Sequence, residues 1–366
     1  MTKLIQNRRG FLRTAAATSG LLAAPAYLRA QGAGEVNVWA YDGFVPDDFK
    51  AAFEDDTGIK VNIRLVDDQG KQFNLLAAER SSPTADVVTV AGHRFLQFID
   101  SDLIAPLDVG RLSNWGGIRP VFSESDWATV RGEKWGAPIL SGCQCLSYNT
   151  EFVTPEEPIS WDLLFSEAAS GTSAYIVQDM MSIAMLYLGY DGNMVEYLGN
   201  EAEAARIVNE ARDFLISHKD KVRKYYDSGA EIQQMYINQD VTIAHNWNGP
   251  IAKLIADGFP VTFRIPREGS YAFVYTFNVA QGGPNPDNAY TFLNALLASA
   301  ENGASMSRAS GFITTFEGAA EFLTEAEQAS TSLPPEELDR LQFFRAEANE
   351  MKYNLVDRAV EEIRAA

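Results

Sequence analysis

Val36-Asn37-Val38-Trp39-Ala40-Tyr41-Asp42-Gly43-Phe44-Val45-Pro46-Asp47-Asp48-Phe49 decides the fold class. Its first five residues alternate as a strand does, and Asp42-Gly43 is a turn signal. Pro46 suits the start of a helix, where an N–H has no partner to lose. Phe49 and Phe53, four apart, give a helix over 47–56 one apolar face, and Gly58 stops it. The same unit then repeats outward: a strand over 59–66, a helix over 72–80, and a more apolar strand over 86–90, as a strand covered on both faces should be. Helices between short buried strands need right-handed crossovers, so the sheet is parallel and this half is an α/β lobe.

Further along, residues 135–149 read as extended, with breakers at Gly136, Pro138 and Gly142, and form the expected first crossing between two lobes. Helices are expected over 160–168, 180–188 and 201–218. A strand over 241–245 runs into Asn246-Trp247-Asn248-Gly249, and two more follow over 260–265 and 271–279, the second returning the chain to the first lobe. Helices over 287–300 and 334–353 complete the pattern. No internal repeat or low-complexity tract interrupts it.

The chain has 366 residues, with 49 Asp and Glu against 30 Lys and Arg, a net charge of -19. Hydrophobic content of 46% supplies a packed core and excludes general disorder. So acidic a surface repels phosphate, which excludes nucleic acid as a partner and favours cations. The five basic residues of the first thirty (Lys3, Arg8, Arg9, Arg13, Arg29) stand where no acid does; without them 25 basic residues face 49 acidic ones and the charge becomes -24. Asn7-Arg8-Arg9-Gly10-Phe11-Leu12-Arg13 reads as a twin-arginine export signal over residues 1–30. The apolar stretch behind it, Thr14 to Ala26, falls short of the about 20 residues a span requires. A soluble periplasmic product, exported folded, is the expectation.

Cys143 and Cys145 would share one face of an extended segment, with their α-carbons near the outer limit for an unstrained disulfide, about 7 Å. Two buried thiols are expected, with an oxidised pair as the alternative that an oxidising periplasm leaves open. Three histidines (His93, His218, His245) form no metal pattern, and there is no phosphate loop, dinucleotide fingerprint or nucleophile elbow. Neither cofactor nor metal is expected. Tyr225-Tyr226 offers phenolates that would suit ferric iron, an alternative cargo. A periplasmic enzyme is the rival from another class, since twin-arginine export often serves folded cofactor proteins.

Several segments, taken in order, resemble the periplasmic substrate-binding proteins of ABC importers, specifically the spermidine/putrescine-binding type. These are Val38 to Pro46 of the opening stretch, Ala85-Asp86-Val87-Val88, Leu103-Ile104-Ala105-Pro106-Leu107-Asp108, Ser160-Trp161-Asp162-Leu163-Leu164, Leu188-Gly189-Tyr190-Asp191-Gly192-Asn193, Trp247-Asn248-Gly249, Pro266-Arg267-Glu268-Gly269 and Ser310-Gly311-Phe312-Ile313-Thr314. The resemblance implies two α/β lobes joined by crossing strands, closing by hinge bending on a ligand cleft. The first lobe would take residues 35–144 and 273–315, the second 145–272 and 316–366.

It also implies a site. Tyr41 and Phe44 stand where the family has aromatic walls, with Asp42 between them, and His93 stands in the loop after the third strand. Asp179 takes the place of a carboxylate that binds an amine. Trp247 matches the platform for a methylene chain, and Phe273 a further aromatic. Two residues on, where the family has a second amine-binding aspartate, this chain has Tyr275. A diamine needs an anion near each ammonium, because an unpaired buried charge costs several kcal/mol. Asp42 is the only nearby candidate for the second end. The implied function is a non-catalytic, monomeric receptor that hands a small cationic solute to an inner-membrane ABC permease. A polyamine is the family default; an amine with its own carboxylate and ferric iron are the alternatives.

Overall fold

A computed structural model describes residues 34–366 except Ser332 and Pro334, so the expected export signal lies outside the described residues. Among the described residues eleven strands build the sheet system. They are β1 (Gly34–Ala40), β2 (Ile59–Leu65), β3 (Val87–Ala91), β4 (Ala137–Asn149), β5 (Ser173–Tyr175), β6 (Val222–Tyr225), β7 (Ile243–Trp247), β8 (Val261–Arg264), β9 (Ser270–Val279), β10 (Ile313–Thr314) and β11 (Leu341–Phe343). The main path runs β2-β1-β3-β9-β4-β7-β5-β6, with β10 and β8 on β4 and β11 on β9. In each lobe the parallel strands are joined by helices, β1, β2 and β3 in one and β5, β6 and β7 in the other.

β4 is the strand that joins the two. Its first half, to Cys143, pairs antiparallel with β9, and its second half, from Gln144, pairs with β7 and β8. Every residue of β4 is buried, as a crossing strand covered from both sides must be. Cys143 and Cys145 are free thiols in one apolar cluster, on one face of β4 as their spacing requires.

Three apolar clusters mark the packing. One gathers Val36 to Leu140 with Val274 to Leu323; the other two draw on Cys143 to Ala272 and on Leu333 to Ile363. Phe316, Ala319 and Leu323 pack with the first cluster, past residue 315.

The helices needed below are α1 (Asp47–Thr57), α2 (Gln69–Ala78), α3 (Val177–Tyr187), α4 (Asn248–Ala256), α5 (Ala300–Ser310) and α6 (Asn349–Ala365). Phe49 and Phe53 are the buried face of α1, and Gly58 ends it at φ 72°, the left-handed geometry that favours glycine. α2 starts earlier than apolar spacing indicates, because the Asp68 side chain caps it by accepting from Lys71 N–H. The expected helix over 287–300 is two helices, Pro286–Leu296 and α5, divided where Ser299 caps the second.

The expected helix over 334–353 is the larger correction. It is a short helix, Pro335–Leu338, then β11, and only then α6. Leu341–Phe343 pairs with Ser270–Ala272 of β9, so tertiary pairing overrides local helical preference. This detour carries Phe344 and the start of α6 back toward the first lobe. Among the described residues no helix is long and apolar enough to cross a membrane.

Candidate ligand cleft

Tyr41 ends β1, His93 follows β3, Asp179 lies in the first turn of α3 after β5, and Trp247 ends β7 at the cap of α4. All four sit beyond the carboxyl ends of parallel strands, where open α/β sheets hold their ligands. They line one cavity of about 580 Å³. Phe273 and Tyr275 of β9 line it too.

Asp179 and Trp247 form the centre. The indole Nε1–H donates to Asp179 Oδ2 at 2.8 Å. Burial raises the Asp179 pKa above the ordinary carboxylate value, opposed by that hydrogen bond, by the positive Lys352 and by the Gln144 amide. Gln144, opposite Trp247 in the β4–β7 register, lines the floor, and its buried Oε1 has no protein partner among the described residues.

The Trp-Asn-Gly run now has a reason at each position. Trp247 enters the cleft, while the buried Asn248 accepts from Cys143 N–H at 2.9 Å and ties α4 to the crossing strand. Gly249 lies against Phe312, and a side chain at Gly311 would meet the Gly249 carbonyl oxygen at 2.3 Å. The two lobes touch backbone to backbone here.

An aromatic wall completes one side. Tyr41 and Tyr275 lie 5.4 Å apart, and Phe273 meets Tyr275 at 5.3 Å. Burial pushes Tyr41 up to about 12 and Tyr275 well above its ordinary value, so both present neutral phenols. Phe44 is fully buried behind them, 5.4 Å from Tyr41 and 5.1 Å from Tyr275, and supports the wall without lining the cavity. Asp42 is exposed and outside the cavity lining. His93 lines the cavity against Phe344 at 5.3 Å, and burial with the nearby Arg94 and Lys352 lowers it to about 3, a neutral imidazole.

Other lining residues have no counterpart in the sequence reading. Asn349, Lys352 and Tyr353 come from the start of α6 and Asp357 from its middle. Asn349 Nδ2 donates to the His93 carbonyl, joining the lobes. Lys352 is 5% exposed, with its ammonium 4.9 Å from the Phe344 ring centre. Burial lowers it to about 8 against the pull of Asp179 and Asp191. Asp67, Asp68, Gln69, Arg94 and Gln97 supply the first-lobe rim, and Asp227 part of the opposite one.

Tyr225 and Tyr226 diverge. Tyr226 is buried and donates to the His245 carbonyl at 2.8 Å, while Tyr225 packs on Tyr175. Neither lines the cleft, so the tyrosine pair does not form an iron site there.

Residues 48–334 match the family model of the bacterial extracellular solute-binding proteins. The chain belongs to that family. It is 26% identical over 280 residues to the putrescine-binding periplasmic protein of Escherichia coli, covering 72% of this chain and 73% of the relative. It is 25% identical over 298 residues to a putrescine/agmatine-binding protein of Pseudomonas aeruginosa, covering 76% and 77%. Its fold is similar to that of the spermidine/putrescine ABC transporter substrate-binding protein of Streptococcus pneumoniae: TM-score 0.75 at 19% identity, over 91% of this chain and 100% of the other. The two-lobe expectation therefore holds, and the family and these relatives are transport binding proteins.

Proposed function

We propose that this protein is the periplasmic receptor of an ABC importer and captures a small amine in the cleft between its lobes. Exported through the twin-arginine pathway, it works without catalysis, as a monomer, and delivers its solute to an inner-membrane permease. The observation that supports this most is the Asp179–Trp247 pair, a carboxylate held by an indole N–H beside a wall of aromatic rings. A primary ammonium can pair with the carboxylate and lie over ring faces, each contributing about 0.5–2 kcal/mol by cation–π attraction, while its methylene chain makes apolar contacts with the rest of the wall. The names of the relatives agree with an amine ligand.

Calorimetric titration of the purified protein with putrescine, cadaverine, spermidine, agmatine and ω-amino acids tests the reading; binding of at least one is expected, and silence for all would end it. Replacing Arg8 and Arg9 by Lys should retain the precursor in the cytoplasm, seen by fractionation. Continued export would remove the twin-arginine route.

A further inference from the structure

The cleft holds a buried cation as well as a buried anion. Lys352 projects from the start of α6 into the cavity, and among the described residues its ammonium forms no hydrogen bond and no ion pair. The two carboxylates that attract it form no ion pair with it: Asp179 accepts from the Trp247 indole, and Asp191 from the backbone N–H groups of Asn193 and Val195. Arg94, the other cation on the lining, donates from its guanidinium to the Gln97 side-chain oxygen Oε1 at 2.7 and 3.0 Å and forms no ion pair among the described residues.

The remaining carboxylates of the rim are largely satisfied. Asp67 pairs with Lys71 and Asp227 with Arg364, while Asp68, which caps α2, and Asp357, which accepts from Gln178, have no ion pair among the described residues but stand exposed at the rim, not in the buried interior. What is left for a solute is one buried carboxylate, Asp179, and one buried ammonium, Lys352, with Arg94 nearby. Burying an ammonium without a partner is costly, and an apolar side chain would fill the same place on α6 at no such cost. A diamine would set its second ammonium against this cation, and like charges in a desolvated site repel strongly.

We infer that the solute is an amine bearing a carboxylate, its ammonium on Asp179 and its carboxylate on Lys352. This rests on the amine-receptor reading and adds the group that the other end must carry. The neutral His93 and the phenols of Tyr41, Tyr275 and Tyr353 surround the chain between the two ends without adding charge.

The test compares matched pairs by calorimetry: 4-aminobutyrate against putrescine, and 5-aminopentanoate against cadaverine, on the native protein and on Lys352→Met and Lys352→Glu. The native protein should favour the amino acid of a pair by at least about tenfold. Lys352→Met should weaken amino-acid binding by roughly thirtyfold or more, the usual result of truncating one partner of a buried charge pair. Lys352→Glu should turn the preference to the diamine. If the native protein prefers diamines, the inference falls and the amine receptor stands. An amino-acid preference that survives Lys352→Met also overturns it. No binding by any amine removes both. Thermal melting of each variant with and without solute shows that the fold is intact, and Lys352→Met, which relieves an unpaired buried charge, should melt no lower than the native protein.

Discussion

Asp179→Asn removes one charge and almost nothing else. The amide oxygen can still accept the Trp247 indole N–H that Asp179 Oδ2 accepts at 2.8 Å, so the platform keeps its orientation. In the free protein the change should leave stability equal or raise it slightly. A carboxyl whose folded pKa lies above its unfolded value favours folding while protonated, and that contribution fades as pH rises through the folded pKa. Burial raises Asp179 in this sense, so near pH 7 its ionised form is a cost that Asn does not carry. In the complex the sign reverses. An ammonium desolvated against Asn in place of Asp loses about 2–5 kcal/mol, which is roughly 30-fold to several-thousand-fold in Kd at about 1.4 kcal/mol per decade. Affinity of the native protein should likewise fall as pH drops through the raised Asp179 pKa, and that fall should vanish in the variant. Titration calorimetry from pH 4 to 8 (roughly the span below and above a raised carboxyl) with parallel melting curves reads both effects. A Kd within about threefold of native, or an equal loss of stability and binding, would refute the role given to Asp179.

Lys352 gives a second pH signature. Its pKa falls from 10.5 to about 8 in the folded protein, so between these values the unfolded chain binds more protons and stability should rise with pH. Lys352→Met should therefore be more stable than native near pH 7, by up to about 3 kcal/mol at 1.36 kcal/mol per pKa unit, with the gain shrinking above pH 8; a flat difference in denaturant titrations across this range would contradict it. Gly311 has φ 77° and would place a side chain 2.3 Å from the Gly249 carbonyl oxygen, so Gly311→Ala should lower stability by at least about 2 kcal/mol. An unchanged melting temperature would show that the lobes do not meet there. Burial pushes the Cys143 thiol up to about 12 and Cys145 well above its ordinary value, so the native protein should be inert to Ellman's reagent at pH 8, and denaturant should release two reactive thiols. Rapid reaction of the native protein would place the thiols outside the core.

Local signals made the first lobe legible. Phe49 with Phe53, Gly58 and the apolar run of β3 speak through spacing and punctuation, which act within a few residues. The crossing strand was readable as well, because Gly136, Pro138 and Gly142 break any helix over residues whose apolar character marks them as buried. Tyr41, His93, Asp179, Trp247, Phe273 and Tyr275 meet in one cleft because each stands at or near a strand end or on β9 beside β3 and β4. Phe44 missed it by a matter of direction. The turn after β1 sends its ring inward, where it backs Tyr41 and Tyr275.

Lys352 was out of reach for a different reason. Its residue type and neighbours resemble any solvated helix, and tertiary contacts bring α6 to the cleft: the pairing of Leu341–Phe343 with β9 and the packing of Val356, Ala359 and Ile363 into the second-lobe core. That pairing links residues about seventy apart, beyond any local pattern. A Lys next to an aromatic-rich strand near the carboxyl end is the faint signal that was present, in Phe343, Phe344 and Lys352.

The most direct measurement is a crystal structure of the protein with the amine that binds most tightly in the titration series. That amine's nitrogen is expected within hydrogen-bond distance of Asp179, with its carbon chain against Trp247 and the Tyr41–Tyr275 wall. A ligand seated with its nitrogen remote from Asp179, or bound outside the space between the lobes, would contradict it.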